Sequence, residues 1–428
     1  MKRTTQLFPN QVYLGILIAE LFYVANNRIT LCWVNDSCVH VSAFIDYLLW
    51  GLIALAALLL LFRLGNAHAF WLAWKQNGLL VLFILYSVIS ISWSIVPQRS
   101  MHTVFIMVAA SISAAMLAVV CSPKAIMKAM YSFTIVCAVA SFAAVIFYPA
   151  IGIHQDEVWR GAWRGIFNHK NDFGPLMALG NQLALLYLLS AGKRSDQIVS
   201  GLFYAFTIFL SVMSECTTAI ISIVILHGLT FAYFAWMRWG SKLHRKSILN
   251  VAVLLVAGVT VGALVIGLVL RSTGKSLQLT GRIPLWLNLL ENVVAKKPWF
   301  GYGLETVWYE SDFQKWAAVT SGWGERIIVI NGHNGYMDIL IYLGICGLTL
   351  LVLFLARGLY RAAQRAIKGR TWLDAFPLLL LIYFLLANIT IDYILEFESF
   401  HWILLMLILF LPPEPFNDES PLNDLATL

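Results

Sequence analysis

The segment ILNVAVLLVAGVTVGALVIGLVL, residues 248–270, contains no charged side chain. A helix rises about 1.5 Å per residue, so this segment would extend for roughly 34 Å, enough to cross a hydrocarbon core about 30 Å thick. The rest of the chain is similar, since 60% of its residues are hydrophobic and only 12% are charged. These continuous apolar runs predict transmembrane α-helices, because an outer-membrane β-barrel would show alternation in segments of roughly ten residues.

A window of about 20 residues predicts about twelve spans. The sequence therefore predicts an all-α, polytopic membrane protein with about 12 transmembrane helices. Residues 1–411 would form this membrane domain, with one long periplasmic loop, residues 271–334, inserted between spans 9 and 10. The acidic tail, residues 412–428, is expected to be disordered and cytoplasmic. The predicted spans are residues 10–30, 42–62, 78–96, 101–121, 125–149, 172–191, 197–214, 218–238, 248–270, 335–356, 374–393 and 398–412.

The distribution of basic residues predicts the orientation of the chain in the membrane. With a cytoplasmic N-terminus, the basic clusters at residues 193–194, 238–246 and 357–370 all lie on the cytoplasmic side, as the positive-inside rule requires. The net charge of +7 therefore gives no reason to expect a nucleic-acid partner. Two outer segments, residues 150–171 and 271–334, are unusually basic for the periplasmic side, which suggests that their cations have a function.

The stretch WRGIFNHKNDFG, residues 163–174, lies at the outer edge of the membrane, before span six. A lone Lys or Arg at this position often contacts lipid headgroups. A cluster on the outer side instead favours binding of an anionic ligand, and Asp172 is expected to cap the following helix. The candidates in this loop are Arg164 as a catalytic residue and Arg160, His169, Lys170 and Asn171 as substrate-binding residues.

The long outer loop contains a predicted amphipathic helix that starts close to Arg282. Apolar residues recur at helical spacing from Ile283 to Val294, so this helix would lie on the membrane surface or over a cavity. A cation opposes the helix dipole there, at a cost of roughly a few tenths of a kcal/mol. A bound phosphate would offset that cost, because both helix N-termini and Arg bind phosphate well. The alternative is a surface Arg paired with Glu291 or lipid.

The motif NGHNGY, residues 331–336, places His333 at the mouth of span ten. An unperturbed His has a pKa of about 6.5 and exchanges a proton near neutral pH. The alternative is a His satisfied by a carbonyl at a helix start. Arginines for a diphosphate and a histidine for a hydroxyl suggest displacement at a sugar carbon that carries a diphosphate leaving group. His333 and Arg282 are thus catalytic candidates, and Asn334 and Trp286 are candidates for substrate binding.

The sequence contains no DxD pair and no His/Cys/Asp cluster at metal-ligand spacing. No metal or other cofactor is therefore expected, and arginines would take the place of Mg²⁺. Cys32 and Cys38 fall in the first outer loop, and their spacing leaves a disulfide between them open.

Five motifs occur in a fixed order relative to the predicted spans. Through them the chain resembles the bacterial O-antigen ligase and polymerase superfamily, which includes exopolysaccharide polymerases. The resemblance covers almost the whole chain. The motifs are SWSIVP at 92–97, RGIFNHKNDFG at 164–174, LTGRIPLW at 279–286, PWFGYGLETV at 298–307 and GHNGYMDILIYLGICGL at 332–348.

The resemblance implies an inner-membrane, metal-independent glycosyltransferase that takes a glycan from undecaprenyl diphosphate on the periplasmic face. Polymerases transfer it to the next lipid-linked repeat unit, and ligases transfer it to the lipid A core. Arg282 would bind the diphosphate and His333 would lie near the acceptor hydroxyl. The implied partners are the lipid-linked donor, an acceptor glycolipid and the membrane, and they could include chain-length regulator and export proteins.

One stretch departs from the family pattern. Many ligases carry a Ser-Arg pair at the outer mouth of span eight, but residues 214–219 here read SECTTA, with Thr217 at the position expected for Arg. Arg164 and Lys170 are the natural substitutes. The HKN form of the loop before span six resembles the exopolysaccharide polymerase branch, so the sequence favours a polymerase over a ligase.

Two readings from other classes remain. A transporter or flippase would carry ionisable residues deep in its spans and would show repeated halves. Charges within the predicted spans are few, and no internal repeat is visible. A structural subunit of an export complex would not need Arg282 or His333.

Overall fold

The computed structural model describes residues 43–63, 65–239, 281–324, 329–394, 400–412 and 414. Within these residues the regular structure is helical, apart from an isolated antiparallel bridge between Ile153 and Trp163. The predicted spans 10–30 and 248–270 lie outside the described residues. The same holds for Cys32 and Cys38 and for nearly all of the acidic tail.

Thirteen helices, labelled here in chain order, build the described part of the protein. Four shorter helical segments connect them: Ser90–Trp93, Pro149–Gly152, Val294–Lys296 and Val307–Tyr309. The thirteen are α1 (Ala43–Arg63), α2 (Ala67–Gln76), α3 (Gly78–Ile89), α4 (Pro97–Val120), α5 (Pro123–Phe147), α6 (Lys170–Ser190), α7 (Arg194–Met213), α8 (Thr217–Trp239), α9 (Arg282–Asn292), α10 (Ser311–Thr320), α11 (Gly335–Gly369), α12 (Trp372–Ala387) and α13 (Phe400–Phe410).

Six of the described helices, α4 to α8 and α11, are long and apolar enough to cross a membrane. Helices α2 and α3 form a pair bent by 82°, which gives a seventh span if the pair is counted as one. The shorter apolar helices α1, α12 and α13 coincide with three further predicted spans. The all-helical, multi-pass architecture is thus confirmed, while the total of about twelve spans stays a prediction.

Helix α6 lies at the centre of the bundle, where it packs against α5, α7, α8 and α12. Its first turns approach the connection between α7 and α8 very closely. A Cβ added at Gly174 would lie 2.6 Å from both the Cβ of Cys216 and the Oγ of Ser214. Glycine at this position therefore lets the start of α6 reach the connection that leads into α8.

One end of the bundle gathers the long connections, and we call it the loop end. Three hydrogen bonds join helix ends, and the segments next to them, at this end of the bundle. Trp163 donates its amide to the carbonyl of Met213, and Gly335 donates its amide to the carbonyl of Asn388. Thr218 and Thr390 share a hydroxyl hydrogen bond of 2.6 Å. The starts of α6, α8 and α11 and the ends of α7 and α12 therefore meet at the same end.

Helix α11 is broken at Gly344, whose backbone is non-helical (φ 66°, ψ −168°). The segment Pro298–Gly303 fills the break with its own backbone, so the amides and carbonyls released from α11 remain paired. Only a glycine at position 344 lets this segment approach so closely, because a Cβ added there would lie 2.2 Å from the carbonyl oxygen of Trp299. The four bonds run from Tyr302 N to Ile341 O (3.1 Å), Gly303 N to Tyr342 O (2.9 Å), Ile345 N to Pro298 O (2.8 Å) and Cys346 N to Trp299 O (3.2 Å).

Candidate active site

Arg164 stabilises the loop that precedes α6. Its Nε donates to the carbonyl of Ile151 at 2.7 Å, and its terminal nitrogens donate to the carbonyls of Asn168 (3.3 Å) and Ala150 (3.4 Å). Its own amide donates to the carbonyl of Gly152 at 2.9 Å. The guanidinium therefore ties both arms of the loop together.

The start of α6 is held by two histidines. His169 caps the helix, because its Nδ1 accepts the amide of Asn171 at 3.1 Å. His154 Nε2 accepts the amide of Lys170 at 3.2 Å, and its Nδ1 lies 2.9 Å from a carboxylate oxygen of Asp156. These contacts require a proton on Nδ1 of His154 and, for neutral His169, a proton on its Nε2. His169 therefore presents an N–H donor away from the helix.

Helix α9 begins at Arg282, as the sequence predicts, and Gly281 precedes it with a left-handed backbone (φ 90°). The indole of Trp323 covers this turn, because a Cβ added at Gly281 would lie 2.4 Å from its Nε1. The same indole meets the ring of His333 edge-on, at 5.4 Å between ring centroids. Trp323 thus links the start of α9 to the loop that carries His333.

The loop before α11 is built by its asparagines. Asn334 caps α11, because its Oδ1 accepts the amides of Tyr336 (3.0 Å) and Met337 (3.1 Å). Asn331 Oδ1 accepts the amide of His333 at 3.0 Å. His333 itself adopts a left-handed backbone (φ 50°), which is uncommon for a residue with a side chain.

Both backbone groups of Gly332, its carbonyl and its amide, form hydrogen bonds to side chains. Trp286 of α9 donates its Nε1 to the carbonyl of Gly332 at 2.8 Å. The amide of Gly332 donates to both carboxylate oxygens of Asp338, at 3.0 and 2.9 Å. Asp338 is fully buried and also accepts the Nε1 of Trp308 at 2.8 Å. These contacts connect the His333 loop to α9, α11 and the segment around Trp308.

Arg282, His333, His169 and Lys170 lie close enough to act on one another electrostatically. Burial, with smaller contributions from Arg282 and His169, lowers the pKa of His333 to about 3. Burial also lowers the pKa of His169 to about 4, with contributions from His154, Lys170 and Arg282. Both imidazoles are therefore neutral at physiological pH, while Arg282 and Lys170 make the field around them positive.

Several polar atoms of this cluster have no partner in the described part of the chain. Neither the guanidinium of Arg282 nor the ring nitrogens of His333 form a hydrogen bond or ion pair with a described residue, and the same is true of Nε2 of His169. Donors gathered in a positive, partly enclosed site suit an anionic group such as a diphosphate.

The structure separates the predicted site residues into two groups. Arg282, His333, His169 and Lys170 come together from three distant parts of the chain. The others have different surroundings. Arg164 binds backbone carbonyls, Asn334 caps α11, Trp286 holds Gly332, Asn171 accepts the hydroxyl of Tyr393 at its carbonyl (2.9 Å), and Arg160 is exposed in a turn.

The prediction that Asp172 caps this helix is wrong. The helix begins at Lys170, so His169 is the cap and Asp172 lies in the first turn. The sequence did not predict the contacts of Asp338 or the pair of His154 and Asp156. The one signal for Asp338 in the sequence is its position, five residues after His333.

Thr217, at the position where many ligases carry Arg, is the first residue of α8 and directly follows Cys216. Cys216 lies near the cluster, because both Lys170 and Arg282 act on its thiol. The end of α8 that faces the cluster therefore supplies no cation. No group of three His, Cys, Asp or Glu side chains suited to a metal ion occurs among the described residues.

Residues 202–352 match the sequence model of a protein family described as O-Antigen ligase. The matched region runs from α7 into α11 and includes Arg282 and His333, whereas the start of α6 lies before it. No curated protein matches the chain. The family match indicates an enzyme of the glycosyltransferase type that acts on lipid-linked polysaccharide in a membrane. Over residues 202–352, the chain is therefore similar to the O-antigen ligase family, as its sequence motifs predict.

Proposed function

We propose that the protein is an inner-membrane, metal-independent glycosyltransferase that polymerises exopolysaccharide or O-antigen repeat units. The donor would be a glycan on undecaprenyl diphosphate, and the acceptor a sugar hydroxyl of the next lipid-linked unit. Transfer would take place on the periplasmic face, which we assign to the loop end of the bundle. The observation that carries the proposal is the convergence of Arg282, His333, His169 and Lys170 at that end.

The diphosphate would lie at the start of α9. Arg282 can donate two parallel hydrogen bonds to phosphate oxygens, and the free amides of the first helical turn can donate others. Lys170 adds positive charge, and Nε2 of His169 adds a neutral donor. These groups would stabilise the negative charge that develops on the diphosphate as it leaves.

His333 would accept the proton of the attacking hydroxyl. The hydroxyl oxygen forms a bond to the anomeric carbon, while the bond from that carbon to the diphosphate oxygen breaks and its electron pair leaves with undecaprenyl diphosphate. The proton passes from the hydroxyl to the imidazole of His333. A single displacement of this kind inverts the anomeric configuration, so NMR of the product should show net inversion.

The low pKa of His333 is consistent with this role. In the free protein, Arg282 opposes protonation of the imidazole. A diphosphate bound to Arg282 would neutralise that charge and add a negative one nearby. The imidazole would then become a stronger base only when the donor is in place.

An O-antigen ligase that attaches the glycan to the lipid A core is the second candidate. The matched family is described as O-Antigen ligase, which favours this reading. The absence of Arg at Thr217 and the HKN form of the loop before α6 favour the polymerase. Donor and chemistry are the same for both, so the acceptor distinguishes them.

The test is glycan profiling in a deletion strain complemented with wild type, Arg282→Ala or His333→Ala, at matched protein levels in the membrane. We expect both variants to lose polymer while single lipid-linked repeats remain. Long lipid-linked chains together with bare lipid A core would instead identify a ligase. Normal glycans in both variants would overturn this active site and would revive the transporter or flippase reading.

A further inference from the structure

The buried carboxylate of Asp338 has no part in the chemistry proposed above. It lies on the first turns of α11 with no exposed surface, and it accepts hydrogen bonds from Gly332 and Trp308. Burying a carboxylate is costly unless donors surround it. A buried carboxylate that accepts several hydrogen bonds holds its donors in one arrangement.

One of these donors is the amide next to His333. The loop lies directly on the carboxylate, because a Cβ added at Gly332 would lie 2.9 Å from Oδ1 of Asp338. The next peptide, between Gly332 and His333, accepts the indole N–H of Trp286 at the carbonyl of Gly332. His333 follows with a left-handed backbone, a conformation that persists only when surrounding contacts impose it.

We propose that Asp338 is a positioning residue for the transfer step, a role that rests on the proposed function of His333. Its carboxylate holds the amide of Gly332, and the indole of Trp286 holds the carbonyl of the same residue, so the two consecutive peptides before His333 are both fixed. This clamp fixes the left-handed turn at His333 and thereby directs the imidazole towards the acceptor hydroxyl. Trp286 is thus a second positioning residue, which differs from the substrate-binding role expected from the sequence.

The clamp predicts a specific kinetic signature. None of its hydrogen bonds involves Arg282, so loosening it should leave binding of the diphosphate donor intact. Misplacing the base by about 1 Å can lower turnover roughly 100-fold. We therefore expect Asp338→Asn, which turns an N–H₂ group towards the Gly332 amide, to lower kcat by roughly 10- to 100-fold with unchanged KM. Trp286→Phe, which removes the other half of the clamp, should lower kcat by a smaller factor.

The experiment uses the purified full-length protein in nanodiscs, with lipid-linked glycan extracted from the deletion strain as the probe. Wild type, Asp338→Asn, Trp286→Phe and His333→Ala are compared over a range of glycolipid concentrations. The matched control is Trp402→Phe, which removes a buried indole hydrogen bond to Ser111 (3.2 Å) from α13. The control should keep both kcat and KM within about twofold of wild type.

Lower kcat at constant KM in Trp286→Phe, with Trp402→Phe unchanged, supports the clamp. It does so even if Asp338→Asn fails to accumulate, since Trp286 holds the same residue, Gly332, from another helix. If both clamp variants behave like wild type while His333→Ala is inactive, the inference is wrong and the proposed function stands. A rise in KM at unchanged kcat also overturns the clamp. If His333→Ala retains full activity, the proposed role of His333 fails instead.

Discussion

Arg164 and Arg282 look alike in the sequence but have different surroundings in the structure. Both lie next to a glycine, in segments that the sequence predicts on the outer side of the membrane. Arg164 donates to three backbone carbonyls, so each of its three guanidinium nitrogens is hydrogen-bonded within the loop that carries it. Arg282 stands at a helix N-terminus without a hydrogen-bonding partner among the described residues, and its charge acts on His333 and His169.

The two arginines differ in whether nearby backbone carbonyls already accept the hydrogen bonds of the guanidinium. Carbonyls at the ends of a loop attract a guanidinium and hold the loop closed. A helix N-terminus presents amides, which repel a guanidinium and attract an anion. We therefore expect Arg164 to support stability and Arg282 to support catalysis.

The largest effect is expected for Arg282→Gln. This change removes the charge that would face the leaving diphosphate, and loss of one such donor typically lowers turnover by roughly 100- to 1,000-fold. Stability should change little, because the side chain makes no bond to a described residue. Turnover of extracted lipid-linked glycan and thermal unfolding in detergent are measured on the same preparation. A large drop in thermal stability would mean that Arg282 is a structural residue like Arg164.

Arg164→Gln should give the opposite pattern. It removes the charged donors to Ile151, Asn168 and Ala150, and bonds from charged groups contribute about 1.5–3 kcal/mol each when well formed. We expect a loss of stability on the order of 3 kcal/mol, seen as a lower thermal midpoint. Turnover per folded molecule should stay within about threefold of wild type at low temperature. Complete loss of turnover in stable protein would return Arg164 to the catalytic group.

The charge of Arg282 should also shape the dependence of activity on pH. The pKa of His333 is lowered to about 3 in the free protein, so this base stays unprotonated well below neutral pH. We expect kcat/KM, which reports on the free enzyme, to show no inflection near the ordinary His pKa of about 6.5. A clear loss of activity through that pH would show that burial and the charge of Arg282 do not keep His333 unprotonated in the free protein.

Stability over the same pH range is the necessary control. His333 and His169 have lowered pKa values when folded, at about 3 and about 4, and ordinary values when unfolded. Below a pH of about 6.5 the unfolded chain binds protons that the folded chain does not. Each histidine therefore makes unfolding easier by up to about 1.4 kcal/mol per pH unit as the pH falls. Thermal unfolding should shift accordingly, and activity is compared only where the protein remains folded.

The sequence predicted the parts of the fold that depend on local patterns. Uninterrupted apolar runs located α4 to α8 to within a few residues, and Gly281 with Arg282 marked the start of α9. The break at Gly344 was not predicted, because it depends on a backbone segment more than forty residues earlier that fills it. Membrane helices are recognised by composition, whereas a break of this kind is decided by tertiary contacts.

The candidate site residues were chosen by residue type, and their contacts were not predicted. His333 and Arg282 were singled out because their chemistry is conspicuous in an apolar chain. The hydrogen bonds of Asn334 and Trp286 to the backbone were not predicted, because such bonds cannot be seen in a sequence. Asp338 was missed because an acidic residue in the first turn of a helix is ordinary, and only its burial under Gly332 makes it unusual.

The smallest effect is expected for Arg160→Gln, which completes the comparison between the two arginines. Arg160 is exposed in the turn between Trp159 and Gly161, whereas Arg164, four residues later, binds three carbonyls. An exposed side chain away from such contacts usually changes stability by less than about 0.5 kcal/mol. We expect thermal stability and turnover of the extracted glycolipid close to wild type. Arg160 has the same charge in the same loop, so a large loss of turnover in this variant would mean that the loop binds substrate through its surface. In that case, the lack of a hydrogen-bonding partner among the described residues would not be enough to assign Arg282 to catalysis.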